Sequence, residues 1–199
     1  MYKFASKYNI KWILTGGNIS TECIRNPVSW MYYQTDSRQL LDIQKKFGQI
    51  KLSSFPITSI IWHKFWLRYF RKIKVVRLLD NVKYKKDDAK NLLISKFDWQ
   101  PYPQKHFESR FTKFYESFWL PKRFNFDIRK VQYSSLILTG QLTRQKALEM
   151  LKEPSFDKKT IKDDIKYVVN KLNISEDELL SYLNQPLKSY KDYKNIRFI

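Results

Sequence analysis

The chain has 199 residues, with 38 Lys+Arg against 19 Asp+Glu and a formal net charge of +19. Its 6 Trp, 13 Tyr and 14 Phe predict a folded protein with a packed core and exclude a disordered polycation. The lone cysteine, Cys23, excludes a disulfide framework and a cysteine-rich zinc site. The four glycines (Gly16, Gly17, Gly48 and Gly140) form neither of the usual glycine-rich phosphate loops.

An α/β region is predicted for residues 1–80. The apolar run Lys11–Thr15 ends in two glycines, which is typical of a buried strand that leads through a tight turn into a helix over residues 18–23. Lys74–Leu79 is rich in β-branched residues and is the second predicted strand. A helix over residues 36–47, capped at its start and ended by a glycine, lies between them.

The pattern after residue 80 is helical, so an all-α region is predicted over residues 81–199. Apolar residues at helical spacing, together with caps and breakers, define its helices. The predicted helices cover residues 86–97, 108–120 (stopped by Pro121), 127–139 (stopped by Gly140), 144–152 (capped by Thr143), 160–172 and 175–186, the last opened by a capping box at Ser175.

A basic and aromatic stretch, Lys64–Lys130, carries 18 Lys+Arg against 7 Asp+Glu, so +11 of the net charge lies there. An amphipathic helix is predicted over residues 57–72, which follow Pro56. We favour an interpretation in which its rings belong to the core and its cations to a solvated face. A nucleic-acid surface with rings for base stacking and an anionic membrane surface are the alternatives. In each case the charge predicts an anionic partner.

The most apolar stretch, Ile57–Phe70, is interrupted by three polar or charged residues, and it is too short and too charged to span a bilayer. Since there is no signal segment and only one cysteine, we predict a cytoplasmic location. His63 and His106 fit no metal-ligand spacing, so no protein metal site is predicted.

The segment Thr15–Glu22 is the first candidate for chemistry. It follows a predicted strand, and ligands bind at the carboxyl ends of strands in open parallel sheets. Its two glycines allow a nucleotide to approach the backbone, and the start of the next helix favours an anion. An ordinary strand-to-helix turn is the alternative interpretation.

A richer string covers residues 105–148. It reads Lys-His-Phe-Glu-Ser-Arg-Phe-Thr-Lys-Phe from Lys105, Leu-Pro-Lys-Arg-Phe-Asn-Phe-Asp-Ile-Arg-Lys from Leu120, and Ser-Ser-Leu-Ile-Leu-Thr-Gly-Gln-Leu-Thr-Arg from Ser134. Its cations are candidates for holding phosphates: Lys105, Arg110, Lys122, Arg123, Arg129 and Arg144. His106 with Glu108 is a candidate for orienting a group or relaying a proton. Read singly, each residue has a structural alternative, such as an ion pair of Arg110 with Glu116 or Asp127.

As a string, these residues resemble the N-acetyl sugar amidotransferase family of surface-polysaccharide and lipopolysaccharide biosynthesis. That family carries runs like K-H-x-E-S-R-F-T-K-F, L-P-K-[KR]-F-G-Y-D-K-R-R and S-S-L-I-L-S-G-Q-M-T-R in the same order and at the same spacing. The Thr15–Glu22 segment fits the family's T-G-G-N-x-x-T-E motif. The resemblance runs from about residue 10 to about residue 190.

The resemblance implies a PP-loop ATP pyrophosphatase fold, of which this chain would hold an incomplete Rossmann-like parallel sheet followed by the helical region. Such enzymes use ATP and Mg²⁺ to adenylylate a carbonyl oxygen. In this family the oxygen belongs to the acetamido group of a nucleotide-linked sugar. Ammonia from a glutaminase subunit then displaces AMP and leaves an acetamidino group.

Site residues follow from the resemblance by position. The nucleotide side is expected at Thr15, Gly16, Gly17, Asn18, Thr21 and Glu22. Catalytic residues are expected at Lys105, His106, Glu108 and Arg110, and substrate or phosphate contacts at Ser109, Lys122, Arg123, Asp127, Arg129 and Arg144.

Departures from the family pattern qualify this expectation. The family's S-G-G-K-D-S loop, which holds the ATP pyrophosphate, and its cysteine-rich N-terminal segment are absent, and Asn125, Ile128 and Gln132 replace a Gly, a Lys and a His. We therefore expect the C-terminal half of an enzyme, either one part of a split enzyme, which needs a partner chain that bears the missing loop, or a decayed copy. A nucleic-acid-binding module and a catalytically inactive structural partner are the alternatives.

Overall fold

The computed structural model describes residues 1–102 and 106–196, which are mostly helical. In chain order the elements are α1 (Tyr2–Lys7), β1 (Trp12–Thr15), α2 (Ile19–Glu22), α3 (Ser37–Phe47), a π-helix (Trp62–Phe70), β2 (Lys74–Arg77), a 3-10 turn (Leu78–Asn81), α4 (Lys86–Phe97), α5 (Arg110–Phe114), a π-turn (Tyr115–Trp119), α6 (Leu120–Phe124), α7 (Ile128–Leu138), α8 (Arg144–Lys152), α9 (Ile161–Leu172), α10 (Glu176–Asn184) and a second 3-10 turn (Tyr190–Asp192).

The chain forms two compact units. Unit 1 contains Met1–Gly16, Pro27–Leu78 and the segment that begins at Lys188. Unit 2 contains Gly17–Asn26 and Leu79–Leu187. The short segment around α2 thus belongs to a different unit from the strand that precedes it.

Unit 1 holds a two-stranded parallel sheet, so both predicted strands and their parallel pairing are confirmed. Trp12 pairs with Lys74 and Leu14 with Val76. Within the described residues these two strands are the whole sheet, and a larger Rossmann-like sheet stays a prediction. One face is covered, because Ile13 is buried in a cluster with Ala5, Leu67 and Ile73.

The helix predicted over residues 57–72 begins at Ile60 and is a π-helix from Trp62 to Phe70. Its wider turn is visible at its end, where the Arg71 N–H donates to the Trp66 carbonyl, five residues earlier, at 3.0 Å. Among the described residues, the helices are all too short or too polar to cross a bilayer.

The interpretation that the rings of this helix belong to the core is wrong for most of them. Leu67 is buried, whereas Phe65, Trp66, Tyr69 and Phe70 are exposed. With hydrogen bonds from residue i to i+5, positions four and five apart share a face, so these rings fall together on the face opposite Leu67.

Unit 2 is built on a core beneath α9. Val168 is fully buried, and it lies in a cluster with Phe114, Phe118, Ile165, Val169 and Leu179. The helices predicted over residues 86–97, 127–139, 144–152, 160–172 and 175–186 are confirmed. Ser175 caps α10 by accepting from the Glu178 N–H at 3.0 Å. The second half of the predicted capping box differs, since the Glu178 carboxylate accepts from the Tyr182 hydroxyl at 2.7 Å.

Pro121 does not stop the helix, contrary to the prediction. The helical path continues from α5 through the π-turn into α6, which ends at Asn125 in the left-handed conformation (φ 57°). A proline has no N–H with which to reach the carbonyl four residues earlier. That carbonyl, of Ser117, accepts from the Ser155 hydroxyl at 2.6 Å, which is how the fold accommodates the proline.

Candidate functional site

Two sequence-distant motifs pack against each other in unit 2. The Ile24 N–H donates to Ser135 Oγ at 3.1 Å, and the Ser20 carbonyl accepts from both Thr139 Oγ1 (2.7 Å) and Gln141 Nε2 (2.8 Å). These partners are more than 100 residues apart in the chain. The Thr-Gly-Gly-Asn segment and the Ser-Ser-Leu-Ile-Leu-Thr-Gly-Gln string therefore form one local structure.

Asn18 sets the start of α2. Its buried side-chain oxygen accepts from the Thr21 N–H at 2.8 Å and from Thr21 Oγ1 at 3.0 Å, as a helix-capping residue does. The Asp80 carboxylate accepts from the Ile19 N–H at 2.6 Å. Both acceptors use backbone donors of the first turn, so the tip of α2 is held in a fixed conformation.

A cavity of about 270 Å³ opens beside this packed pair of motifs. Three of its wall residues belong to the predicted nucleotide side: Asn18, Thr21 and Glu22. The other walls come from α4 and its flanks, from Tyr102 and from α7: Tyr84, Lys86, Ala89, Lys90, Leu93, Trp99, Tyr102, Gln132 and Leu136.

The cavity combines flat rings, planar polar groups and cations. Trp99 and Tyr102 meet edge to face with their ring centroids 5.4 Å apart. Amide and carboxylate side chains (Asn18, Gln132 and Glu22) share the walls with Lys86 and Lys90 of α4. Such a lining suits a ring that carries hydroxyl or amide groups and is linked to phosphate.

Tyr102 connects the cavity to a predicted catalytic residue. Burial, and then the negative charge and hydrogen bond of Glu108, raise the pKa of the Tyr102 hydroxyl. The hydroxyl therefore stays protonated and donates to the Glu108 carboxylate. Glu108 is thereby linked through one side chain to a wall of the cavity.

His106 pairs with Glu116 and not with Glu108, so the sequence-based pairing is corrected. His106 Nδ1 lies 3.0 Å from Glu116 Oε1, with the imidazole partly exposed and the carboxylate nearly buried. The Nδ1–H tautomer donates to that oxygen and leaves Nε2 as a proton acceptor. His106 has a left-handed backbone (φ 70°), which is uncommon for a residue other than glycine. Among the described residues, the other Glu116 oxygen is buried without a hydrogen-bond partner.

Arg110 forms an ion pair with Asp164, and not with Glu116 or Asp127 as the sequence suggested. Its Nε donates to Asp164 Oδ1 at 2.9 Å, and Lys113 Nζ lies 2.8 Å from Asp164 Oδ2. The guanidinium stacks over the Tyr167 ring at 4.7 Å. Because Asp164 is buried, this cluster ties α5 to α9.

Arg129 and Arg123 support helix ends. The buried Arg129 guanidinium makes a bidentate pair with Asp127 and donates to the Glu153 carbonyl at 3.0 Å, just after α8. The hydrogen bond to Asp127 raises the pKa of Arg129 despite burial. Arg123 donates to carbonyls in the last turn of α10 and just after it: Leu183 (3.0 Å), Gln185 and Pro186 (3.1 Å).

The remaining predicted site residues lie in several places. Thr15 and Gly16 belong to unit 1, whereas Gly17 belongs to unit 2. Ser109 caps α5 by accepting from the Thr112 N–H, Lys122 lies 6.0 Å from the Phe156 ring, and Arg144 is exposed in the first turn of α8. Lys105 lies outside the described residues.

Metal-ligating side chains are scattered in the part of the chain that the structure describes. Over residues 1–102 and 106–196, no three His, Cys, Asp or Glu side chains lie close enough together to hold a metal ion. Mg²⁺ prefers a few carboxylates together with substrate phosphates. Because Mg²⁺ that is bound together with a nucleotide takes only one or two protein carboxylates, the use of Mg²⁺ stays a prediction.

Sequence reasoning missed most of the cavity wall. Tyr84, Lys86, Lys90 and Trp99 come from α4 and its flanks, which carry no motif of the family pattern. Gln132 did carry a signal, because it stands where that pattern has a histidine. A polar glutamine in place of a polar histidine suits a position that faces a ligand, and Gln132 does line the cavity.

Comparisons with known proteins agree with part of this picture. Residues 108–199 match a family model described as "LPS biosynthesis protein WbpG-like, C-terminal domain". The matched region begins at Glu108 and includes the cavity residues Gln132 and Leu136. No curated protein and no solved structure matches the chain. The match supports a relationship of the helical region to lipopolysaccharide biosynthesis proteins.

Proposed function

We propose that this chain supplies the sugar-nucleotide site of an ATP-dependent amidotransferase that modifies N-acetyl sugars for lipopolysaccharide. One observation carries the proposal. The cavity of unit 2 brings together the Asn18–Glu22 segment, Gln132 of the lipopolysaccharide-related region and, through Tyr102, Glu108.

The size and lining of the cavity favour one ring of a sugar nucleotide. Pockets for drug-sized ligands occupy roughly 300–1,000 Å³, and this cavity of about 270 Å³ lies just below that range. A pyranose ring presents C–H groups to the Trp99 and Tyr102 rings and hydroxyls to Gln132 and Asn18. Lys90, on the same wall, is placed to meet the diphosphate.

The proposed reaction begins with attack of the acetamido oxygen on the α-phosphorus of ATP, which releases pyrophosphate. Ammonia then adds to the activated carbon, the C–O bond breaks, and the oxygen leaves with AMP. Loss of a proton gives the acetamidino group. The amide oxygen is a poor leaving group, and adenylylation converts it into a good one.

Proton transfer is the part of this chemistry that the chain's own residues serve. Ammonia gains a positive charge when it adds, so a nearby base is needed. Glu108 and the Nε2 of His106 are the two candidate acceptors in the Lys105–Phe114 string. Glu116 acts as the positioning residue for His106, because its carboxylate fixes the ring nitrogen that carries the proton.

The ATP step needs groups that this sequence does not contain. The family's pyrophosphate loop does not occur in these 199 residues. We propose that the loop is supplied from outside them and that a glutaminase subunit brings ammonia. The isolated chain then binds the sugar nucleotide without turning over ATP.

Binding to a nucleotide-linked N-acetylhexosamine tests the proposal. Lys90→Ala is expected to weaken binding about tenfold, because it removes a charge-assisted contact to phosphate. Lys96→Ala is the matched control, since Lys96 lies on the same helix, is exposed and does not line the cavity. Calorimetry that shows no binding by the wild-type chain, or equal binding by both variants, contradicts the proposal.

Pyrophosphate release tests the second part. The isolated chain with ATP, Mg²⁺, ammonium ion and the sugar nucleotide is expected to release none. Addition of a chain that bears the Ser-Gly-Gly-Lys-Asp-Ser loop is expected to restore release. Release by the isolated chain contradicts the requirement for that loop.

A further inference from the structure

The charge of the protein is concentrated on one part of unit 1. Residues 1–16 carry three basic side chains and residues 60–77 carry six, and neither range contains an Asp or a Glu. These cations are Lys3, Lys7, Lys11, Lys64, Arg68, Arg71, Lys72, Lys74 and Arg77. Both ranges belong to the same compact unit, joined by the β1–β2 pairing. Two ranges that carry nine cations and no acidic side chain attract anionic partners.

The π-helix at its centre exposes a continuous apolar face. Ile61, Phe65, Trp66, Tyr69 and Phe70 are all exposed, and they recur at intervals of four and five residues. Phe65 stacks on Tyr69, and Trp66 stacks on Phe70 with ring centroids 4.7 Å apart. We call this set the aromatic face.

Cations border the aromatic face. The Arg71 guanidinium lies 6.0 Å from the Trp66 ring, and that of Arg68 lies 5.9 Å from the Tyr69 ring. Trp and Tyr rings mixed with Lys and Arg are typical of segments that lie at a bilayer interface, where rings enter the headgroup region and cations reach the lipid phosphates.

Single-stranded nucleic acid fits the aromatic face less well. Base stacking needs a ring with an open π-face. Trp66 is stacked on Phe70 and approached by Arg71, and Tyr69 is stacked on Phe65 and approached by Arg68. The exposed side chain of Ile61 has no ring on which a base could stack, whereas burial among acyl chains would remove its apolar surface from water.

We infer that unit 1 docks on an anionic lipid bilayer through the aromatic face, with the surrounding cations on lipid phosphates. Each Lys or Arg near such a surface adds electrostatic attraction, and each inserted ring adds apolar burial. This inference rests on unit 1 alone and is independent of the cavity in unit 2.

Flotation of the full chain with vesicles tests this inference. We expect binding to phosphatidylcholine vesicles that contain phosphatidylglycerol, little binding to pure phosphatidylcholine, and release by high salt. Phe70→Ser is expected to weaken partitioning about tenfold. Phe97→Ser is the matched control, because Phe97 in unit 2 is 71% exposed and Phe70 is 70% exposed.

A second measurement needs no variant. Lipids with a quencher at the headgroup–acyl boundary are expected to reduce the tryptophan fluorescence of the wild-type chain on anionic vesicles. Failure to bind either vesicle overturns the inference. Equal loss of partitioning in Phe70→Ser and Phe97→Ser overturns it, as does saturable binding to oligouridine or to an acidic protein without vesicle binding.

Discussion

Arg110 holds the buried carboxylate of Asp164 through its Nε, at 2.9 Å, and Lys113 holds the other oxygen at 2.8 Å. Asp164→Asn removes the charge that both cations face and leaves them near a neutral, buried amide. We expect unit 2 to lose about 1–2 kcal/mol of stability, since the two charge-assisted hydrogen bonds to the buried carboxylate are weakened while the cations stay partly hydrated. Urea unfolding followed by circular dichroism measures the loss.

Asp163→Asn is the control for this prediction. Asp163 precedes Asp164 in α9 but is exposed, so its loss is expected to change stability by less than about 0.5 kcal/mol. Equal destabilisation by the two variants would show that the buried cluster contributes nothing beyond helix charge.

Ser155 supports the helix around Pro121. Ser155→Ala removes the hydroxyl that donates to the Ser117 carbonyl at 2.6 Å, and we expect a loss of about 1–2 kcal/mol. Pro121→Ala provides a backbone N–H for the same carbonyl. In the Pro121→Ala background the Ser155→Ala loss is therefore expected to be smaller, and a double-mutant cycle measures the difference. Full additivity contradicts this role.

Asn125 ends α6 with φ at 57°, a conformation that glycine and asparagine tolerate. The family pattern has glycine at this position, so the departure keeps the backbone geometry. We expect Asn125→Gly to change stability by at most a few tenths of a kcal/mol and Asn125→Ala to cost about 1 kcal/mol. Thermal unfolding compares the two, and a glycine variant that is less stable than the alanine variant contradicts this account.

Local signals in the sequence predicted the helices of unit 2 well. Thr143 and Ser175 are capping side chains followed by apolar residues at helical spacing, and each caps a helix in the structure. The prediction that Pro121 ends the helix was wrong because another group donates a hydrogen bond to the carbonyl that the proline leaves without a backbone partner. The hydrogen bond from the Ser155 hydroxyl to the Ser117 carbonyl joins residues that are far apart in the sequence. A local sequence pattern does not contain such a contact.

The site was only partly predictable for the same reason. The motif residues Asn18, Thr21 and Glu22 line the cavity, but the facing residues Trp99 and Lys90 carry no motif. Likewise, periodicity showed that the segment after Pro56 is amphipathic without showing which face packs inward. The π-helical turn decides that, and it buries Leu67 and not the rings.

Tyr32 and Asp36 join the C-terminal segment of unit 1 to the start of α3. The Tyr32 hydroxyl lies 2.9 Å from both Asp36 Oδ2 and the Ile196 carbonyl, and the Ile196 N–H donates to Asp36 Oδ2 at 2.6 Å. Burial alone would raise the pKa of Asp36, but the hydrogen bonds from Ile196, Tyr32 and the α3 backbone outweigh it and lower that pKa. Burial and the Asp36 carboxylate raise the pKa of Tyr32 to about 12.

The two shifts give unit 1 a pH dependence of known sign. A carboxyl whose pKa is lowered by folding stabilises the fold at pH values above its unfolded-state pKa of about 4. That stabilisation is lost as the pH falls through the lower folded-state pKa. A raised phenol pKa stabilises the fold below the unfolded value of about 10, and that stabilisation is lost as the pH rises toward about 12. Asp36→Asn retains a capping oxygen but is expected to reduce the acid-side dependence, to which Asp42 and Asp192, whose pKa values are also lowered, still contribute. Tyr32→Phe is expected to reduce the alkaline dependence. Thermal unfolding from pH 3 to pH 5, and again around pH 10 to 12, compares the variants with Tyr33→Phe, whose ring is exposed. An acid dependence as large in Asp36→Asn as in the wild type contradicts the assignment.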